Sequence, residues 1–148
     1  MIREATASDI TPLLLIAEAF GAEAPDTHNY DLDKVEAMLR FCIYDDNAVV
    51  YVMEMDEVVV GGIVGVIVGV IAEMWTSYDV AATEVAWFVD KKYRGRGALK
   101  LLRAFEDWAE SKEADYITVA DIEGIANLEP LYKRMGYSKV ETSYSKRV

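Results

Sequence analysis

The stretch Val85-Ala86-Trp87-Phe88-Val89-Asp90-Lys91-Lys92-Tyr93-Arg94-Gly95-Arg96-Gly97-Ala98 decides how the middle of this chain folds. Its β-branched and aromatic residues predict a strand that ends at Asp90, and residues 98–114 have the apolar spacing of an amphipathic helix. A glycine turn between a strand and a helix leaves main-chain N–H groups free to bind phosphate oxygens. The guanidinium groups of Arg94 and Arg96 suit the same ligand. The stretch therefore predicts a site for a phosphorylated cofactor.

The rest of the sequence predicts strands and helices arranged around this unit. Strands are expected at residues 2–5, 48–55, 58–72, 80–89, 116–120, 137–140 and 143–146. Helices are expected from Ser8, as a cap, to residue 20, from Asp31, as a cap, to residue 44, and at residues 98–114 and 128–135. This order predicts an α/β (α+β) fold in one domain of residues 1–148. A central mixed, mostly antiparallel sheet of about six to seven strands is expected, flanked by four helices.

Composition limits the function classes. The chain has 148 residues, 15 basic and 26 acidic side chains, and a net charge of −11. Such a surface disfavours nucleic acid and anionic membranes and favours a cationic small molecule or a basic peptide as partner. The uncharged run at residues 58–72 is too short for a membrane-spanning helix, which needs about 20 residues. Because no signal peptide is evident at the amino terminus, a cytoplasmic protein is expected.

Cysteine and histidine are each present once, as Cys42 and His28. One cysteine excludes an internal disulfide and a cysteine-based zinc site. One histidine in a polar loop makes a Ser-His-Asp or Cys-His arrangement improbable. Neither a metal nor a covalent enzyme intermediate is therefore expected.

Two motifs resemble those of the GNAT superfamily of N-acetyltransferases. The segment Lys92-x-x-Gly95-x-Gly97 is similar to the family's Gln/Arg-x-x-Gly-x-Gly/Ala loop, with lysine at the first position. The segment Leu131-Tyr132-Lys133-Arg134-Met135-Gly136-Tyr137 resembles the family's segment whose tyrosine lies near a thioester sulfur. The family often has an asparagine seven residues before this tyrosine, where this chain has Ile125, and Asn127 is the nearest candidate. The chain also resembles small members encoded by phages.

The resemblance implies acetyl-CoA as co-substrate. In this family the loop holds the pyrophosphate, and the strand before the loop pairs with the pantetheine arm. The residues that the resemblance assigns to acetyl-CoA are Phe88, Val89, Lys92, Arg94, Gly95, Arg96, Gly97, Ala98 and Asn127. Tyr132 is implied as the acid that protonates the departing thiolate, and the N–H of Val89 is expected to polarise the thioester carbonyl.

Acetyl transfer to an amine needs a group that removes a proton, because alkylamines are protonated at neutral pH. Glu84, on the fourth predicted strand, is the first candidate, with Glu73 and water as alternatives. The acceptor pocket is expected between the first two helices, their loop and the connection between the third and fourth strands. The carboxylates expected there indicate a cationic small molecule or peptide amine: Asp26, Asp31, Glu73, Asp79 and Glu84.

Two other functions stay open from the sequence. A chain with this fold and no turnover would be a non-catalytic acyl-CoA-binding module. The basic cluster around the glycine turn would suit nucleic acid, although cofactor phosphates explain it with fewer assumptions. Apolar strand edges at residues 58–70 make a homodimer plausible.

Overall fold

The fold is seen in a computed structural model that describes residues 1–24, 29–55 and 62–148. The strands are β1 (Ile2–Glu4), β2 (Ala48–Glu54), β3 (Ile63–Glu73), β4 (Val80–Val89) and β5 (Tyr116–Thr118). The helices are α1 (Ile10–Glu23), α2 (Leu32–Tyr44), α3 (Arg96–Ser111) and α4 (Glu129–Arg134), with single 3-10 turns at Ala7–Asp9 and Lys91–Tyr93. The strands form one sheet in the order β1-β2-β3-β4-β5. Only β4 and β5 are parallel, because α3 carries the chain between them. The α/β class of the fold is thereby confirmed.

The sheet is covered on both faces, so the core has two layers. On one face α1 and α2 pack against strand residues such as Val52 and Phe88. On the other face α3 and α4 pack against residues such as Ile67. Phe105 of α3 is fully buried, which removes a large aromatic surface from water and stabilises the fold by about 2–3 kcal/mol. A Cβ on Gly69 of β3 would lie 2.3 Å from the Phe105 ring, so only glycine admits this close contact.

A β-bulge interrupts β4 in its middle. Val68 of β3 pairs with Ala86 and the next residue, Gly69, pairs with Glu84, which leaves Val85 without a partner on β3. The bulge shifts the alternation of side chains along the strand. A bulge also bends its strand and increases the twist. Beyond this point β4 continues to Val89, whereas β5 accompanies it only over Ala81–Thr83.

The predicted strand count of six to seven is wrong, since the described residues form five. The segments 137–140 and 143–146, predicted as strands, form neither a strand nor a helix. Every residue from 138 to 148 is exposed. Alternation of Val140, Thr142 and Tyr144 has the period of a strand, but these side chains cover no buried surface here. An alternating sequence forms a strand only where its apolar side chains have a buried surface to pack against.

Of the two predicted helix caps, Asp31 is confirmed and Ser8 is wrong. Asp31 caps α2 as predicted, because its side chain accepts hydrogen bonds from the N–H groups of Asp33 and Lys34. Ser8 does not cap α1 but lies inside the preceding 3-10 turn, and α1 begins after Asp9. The Asp9 carboxylate binds Arg3 at 2.7 Å, and this bond holds the pKa of Asp9 at about 2. That ion pair fixes the turn and moves the helix start.

Some predictions lie outside the described residues. They are Asp26 and His28 in the predicted polar loop, the predicted turn at 56–57, and residues 58–61 at the start of the third predicted strand.

Candidate functional site

The second half of β4 has an unpaired edge, which we call the open edge (Trp87 to Val89). Asp90 N–H donates to the Val64 carbonyl at 2.9 Å, so Val89 and Gly65 form a pair without mutual hydrogen bonds. In such a pair the N–H and C=O groups point away from the neighbouring strand. The main-chain groups of Trp87 and Val89 therefore point towards the side of β5, which has already ended. Val89 N–H has no partner among the described residues.

Glu84 and Tyr132 meet at one peptide segment beside this edge. Ala120 N–H donates to Glu84 Oε2 at 3.2 Å, and the Tyr132 hydroxyl donates to the Ala120 carbonyl at 2.6 Å. Glu84 comes from β4 just before the bulge, and Tyr132 from α4. The Tyr132 ring lies 6.4 Å from the Trp87 ring between centroids, so it flanks the open edge. The structure thus brings the two predicted catalytic side chains together through the main chain of Ala120.

Burial changes the acid–base properties of both groups. Burial raises the pKa of Glu84 to about 7, against the opposing effect of the Ala120 N–H. Burial also raises the pKa of Tyr132, and the negative charges of Glu84 and Asp121 add to this rise. Near neutral pH the carboxyl group is therefore poised to exchange a proton, while the phenol stays protonated.

The first turn of α3 presents free main-chain N–H groups. No hydrogen bond within the described residues uses the N–H groups from Gly95 to Ala98. Gly95 has φ of 124° and ψ of −130°, a conformation open only to glycine, and nothing lies within 4 Å of its missing Cβ. A Cβ on Gly97 would lie 2.6 Å from Met53 Sδ, so glycine also lets this turn lie close to β2. These groups form a cradle suited to an anion.

Arg94 is engaged within the protein. Its Nε donates to the Val89 carbonyl at 2.8 Å, and its Nη2 contacts both carboxylate oxygens of Glu23 at 3.0 and 2.9 Å. The guanidinium also lies over the Phe88 ring, 5.3 Å from its centroid. Arg94 thus ties the end of β4 to the end of α1. It leaves Val89 with only its N–H free.

The other residues predicted to bind acetyl-CoA differ in accessibility. Lys92 and Arg96 are exposed beside the cradle. The side chain of Phe88 is buried against α1, where it meets Phe20 edge to face, so only its main chain is near the open edge. Asn127 lies exposed in the loop before α4. Their roles stay predictions.

The carboxylates predicted to line one acceptor pocket are spread over the molecule. Glu73 and Asp79 flank the turn between β3 and β4, about four residues or ~13 Å along β4 from Glu84. Asp31 caps the N-terminus of α2, and its carboxylate accepts hydrogen bonds from the N–H groups of Asp33 and Lys34. Among the four of these carboxylates that the structure describes, only Glu84 lies beside the open edge.

Sequence reasoning missed Ala120, Trp87 and Asp121. Ala120 contributes only its main-chain N–H and C=O groups, so the type of its side chain gives no sign of this role. The Trp87 indole flanks the open edge, and its buried Nε1 has no partner among the described residues. The sequence does not show that Trp87 faces the site, because the bulge at Val85 changes which face of the sheet the following side chains of β4 point to. Asp121 accepts a hydrogen bond from Leu128 N–H at 3.0 Å, seven residues ahead.

Within residues 1–24, 29–55 and 62–148, no group of three or more His, Cys, Asp or Glu side chains is arranged to hold a metal ion. No helix in the described part of the chain has the length and apolar character needed to cross a membrane.

Several solved structures share this fold, and some of them are named acetyltransferases. An acetyltransferase from Trypanosoma brucei superposes with a TM-score of 0.74 at 21% identity, covering 100% of this chain and 99% of that one. Glucosamine-6-phosphate N-acetyltransferase from Arabidopsis thaliana superposes with a TM-score of 0.76 at 17% identity, covering 99% and 97%. AAC(6')-Iy, solved with the bisubstrate analog CoA-S-monomethyl-acetylneamine, superposes with a TM-score of 0.77 at 17% identity, covering 100% and 98%.

Sequence comparison identifies the family. Comparison with curated protein sequences gives no significant match. The sequence profile described as the Acetyltransferase (GNAT) family matches residues 14–137, which include β4, the glycine turn, α3 and α4. The chain therefore belongs to the GNAT family of acetyltransferases, which use acetyl-CoA as co-substrate.

Proposed function

We propose that this protein is an N-acetyltransferase that moves an acetyl group from acetyl-CoA to a primary amine of a small cationic molecule or peptide. The observation that carries the proposal is the main chain of Ala120, whose N–H binds Glu84 and whose carbonyl binds Tyr132 beside the open edge. This arrangement joins a proton acceptor and a proton donor next to free main-chain groups. Direct attack of the amine on the thioester needs these elements and no covalent enzyme intermediate.

The residues present suit acetyl-CoA. Its pyrophosphate needs donors, which the N–H groups from Gly95 to Ala98 offer at the start of α3, with Lys92 and Arg96 beside them. Its pantetheine arm carries amide groups, which suit the unpaired main chain of Trp87. Bound acetyl-CoA would supply the activated acetyl thioester. The Val89 N–H would then donate a hydrogen bond to the thioester oxygen, where negative charge develops.

Glu84 is proposed as the general base. Its pKa of about 7 lets it be ionised in a large fraction of molecules near neutral pH and still accept a proton from an ammonium group, directly or through water. Glu73 lies too far along β3 to act on the same amine. The geometry thus favours Glu84 over the alternative that the sequence left open.

Tyr132 is proposed as the general acid. Its raised pKa keeps the hydroxyl protonated, and in this structure the proton is donated to the Ala120 carbonyl. As the C–S bond breaks, the departing thiolate would accept the proton of this hydroxyl when the two lie within hydrogen-bond distance. The tyrosinate left behind is the stronger base of the two, so it would then regain a proton from solvent.

A thiol-release assay with acetyl-CoA tests the proposal across polyamines, amino acids, aminoglycosides and basic peptides. We expect transfer to cationic amines, and a loss of about 10²-fold or more in kcat for Tyr132→Phe. Tyr137→Phe is the matched control, because it removes another half-buried hydroxyl, bonded to Glu106 Oε1 at 2.7 Å, away from Ala120. Stabilisation by acetyl-CoA without thiol release for any amine would instead indicate the non-catalytic acyl-CoA-binding module.

A further inference from the structure

The loop between β5 and α4 is closed by one side chain. Residues 121–128 are largely exposed and contain a turn in which Ile125 N–H donates to the Ile122 carbonyl at 3.3 Å. Gly124 within it has φ of 83°. The Asp121 carboxylate, at the start of the loop, accepts the hydrogen bond of Leu128 N–H at its end, at 3.0 Å.

The two ends of this loop adjoin the two residues of the Tyr132–Ala120 hydrogen bond. Asp121 directly follows Ala120, whose carbonyl accepts the proton of Tyr132 and whose N–H binds Glu84. Leu128 is the N-cap of α4, which carries Tyr132 four residues later. The Asp121–Leu128 hydrogen bond therefore joins the same two segments as the Tyr132–Ala120 hydrogen bond.

The helix α4 needs such a link. It has six residues, which is too short for a helix to be stable by itself. The Tyr132 ring anchors its middle by packing against Trp87 and Tyr137. At its N-terminus, the side chain of Leu128 is only half-buried, and the Asp121 carboxylate holds its main chain. Loss of this bond would free the start of α4 to move relative to Ala120.

We propose that Asp121 is a positioning residue, which acts by holding Leu128 so that Tyr132 and Glu84 keep their common partner Ala120. The inference rests on the proposed function for its kinetic consequence but not for its structural one. The carboxylate acts as a hydrogen-bond acceptor, so an uncharged acceptor of the same shape replaces it. Its negative charge, which also favours the protonated phenol, is a secondary contribution.

Kinetics of three variants test the proposal. For Asp121→Ala we expect kcat to fall about tenfold, since one net hydrogen bond is lost, while KM for acetyl-CoA changes less than about threefold. Asp121→Asn retains an acceptor oxygen and should keep kcat within about threefold of the native value. Asp115→Ala is the matched control, because Asp115 Oδ2 accepts from Val80 N–H at 2.8 Å at the other end of β5. Its kcat should also stay within about threefold.

Any of three results would overturn the kinetic part. An Asp121→Asn variant as slow as Asp121→Ala would make charge the determinant. An Asp115→Ala variant that loses as much would make the effect one of general stability. A kcat of Asp121→Ala within threefold of native would show that Asp121 does not position the acid.

Amide hydrogen exchange tests the structural part without any activity. The Leu128 amide should exchange about tenfold faster in Asp121→Ala than in the native protein or in Asp121→Asn, with no such change in Asp115→Ala. Unchanged exchange at Leu128 would overturn the proposal. If the native protein transfers no acetyl group, the proposed function fails, but this measurement still decides whether Asp121 holds α4.

Discussion

At the scale of single residues, the chemistry of the site depends on what burial does to Glu84. The sequence predicts Glu84 as a candidate base and partial burial as the reason. The structure adds the Ala120 N–H as its partner and raises the pKa to about 7. Ala120 itself could not be predicted from its side chain, because its contribution comes entirely from the peptide group. Side-chain chemistry was therefore readable from sequence, but the main-chain contact that joins it was not.

The raised pKa of Glu84 predicts a pH-dependent effect on stability for Glu84→Gln. Between pH 4.5 and about 7 the folded protein keeps a proton on Glu84 that the unfolded chain has lost, so the native protein loses stability as the pH rises through this range. The glutamine variant avoids this loss and still offers an oxygen to Ala120. Its free energy of unfolding should match the native value near pH 4 and exceed it by about 1–3 kcal/mol at pH 8.

Urea unfolding at several pH values measures this difference. Glu73→Gln, at an exposed position near the end of β3, serves as the control and should differ from native by less than about 0.5 kcal/mol at every pH. A Glu84→Gln variant that is no more stable at pH 8 than at pH 4, relative to native, would contradict a buried carboxyl group at this position.

At the scale of secondary-structure elements, strand β4 and helix α3 form the unit that is proposed to bind acetyl-CoA. The bounds of β4 are those predicted, and α3 begins two residues earlier than predicted, at Arg96. Both could be predicted because their apolar patterns are long and these apolar side chains pack in the core. The bulge at Val85 was not predictable from the pattern. It arises from the pairing with Gly69, which lies on another strand.

The conformation of Gly95 predicts a specific effect for Gly95→Ala. An alanine at φ of 124° is strained by about 1–3 kcal/mol, although no atom lies close enough to clash with its Cβ. Relaxing this strain would turn the N–H groups of the α3 cradle, so KM for acetyl-CoA should rise about tenfold. Steady-state kinetics and thermal unfolding measure the two effects.

Gly136→Ala is the matched control for strain. Gly136 also has a positive φ, of 92°, with nothing near its missing Cβ, but it follows α4 rather than preceding α3. This variant should be destabilised to a similar extent and keep KM for acetyl-CoA within about threefold. A Gly95→Ala variant with unchanged KM would argue against the cradle as the pyrophosphate site.

At the scale of the whole molecule, the net charge and the order of elements could be predicted from the sequence, whereas the open edge of the sheet could not. The net charge of −11 and the order of elements both follow from the sequence. The tail from 138 to 148 has the pattern of a strand, but whether a strand forms depends on a partner surface elsewhere in the fold. β5 ends early although β4 continues beside it, and the open edge of β4 could be expected only from the resemblance to a family.

The charge of the molecule predicts how acceptor binding depends on salt. A negative surface attracts a cationic acceptor, and this attraction is screened as ionic strength rises. KM for a diamine or polyamine should therefore increase several-fold when the salt concentration rises from about 20 to about 300 mM. KM for an uncharged acceptor should stay nearly constant. An anionic acceptor with a lower KM than any cationic one would contradict the proposed acceptor class.

The gap between β4 and the end of β5, with the cradle of α3, is proposed as the site of acetyl-CoA. Amide hydrogen exchange of the native protein with and without acetyl-CoA measures this footprint residue by residue. We expect slowed exchange at Trp87, Val89 and the N–H groups from Gly95 to Ala98, because these are the main-chain groups left free in this structure. Binding of acetyl-CoA that leaves these amides unchanged, or that protects a different surface, would contradict the assignment.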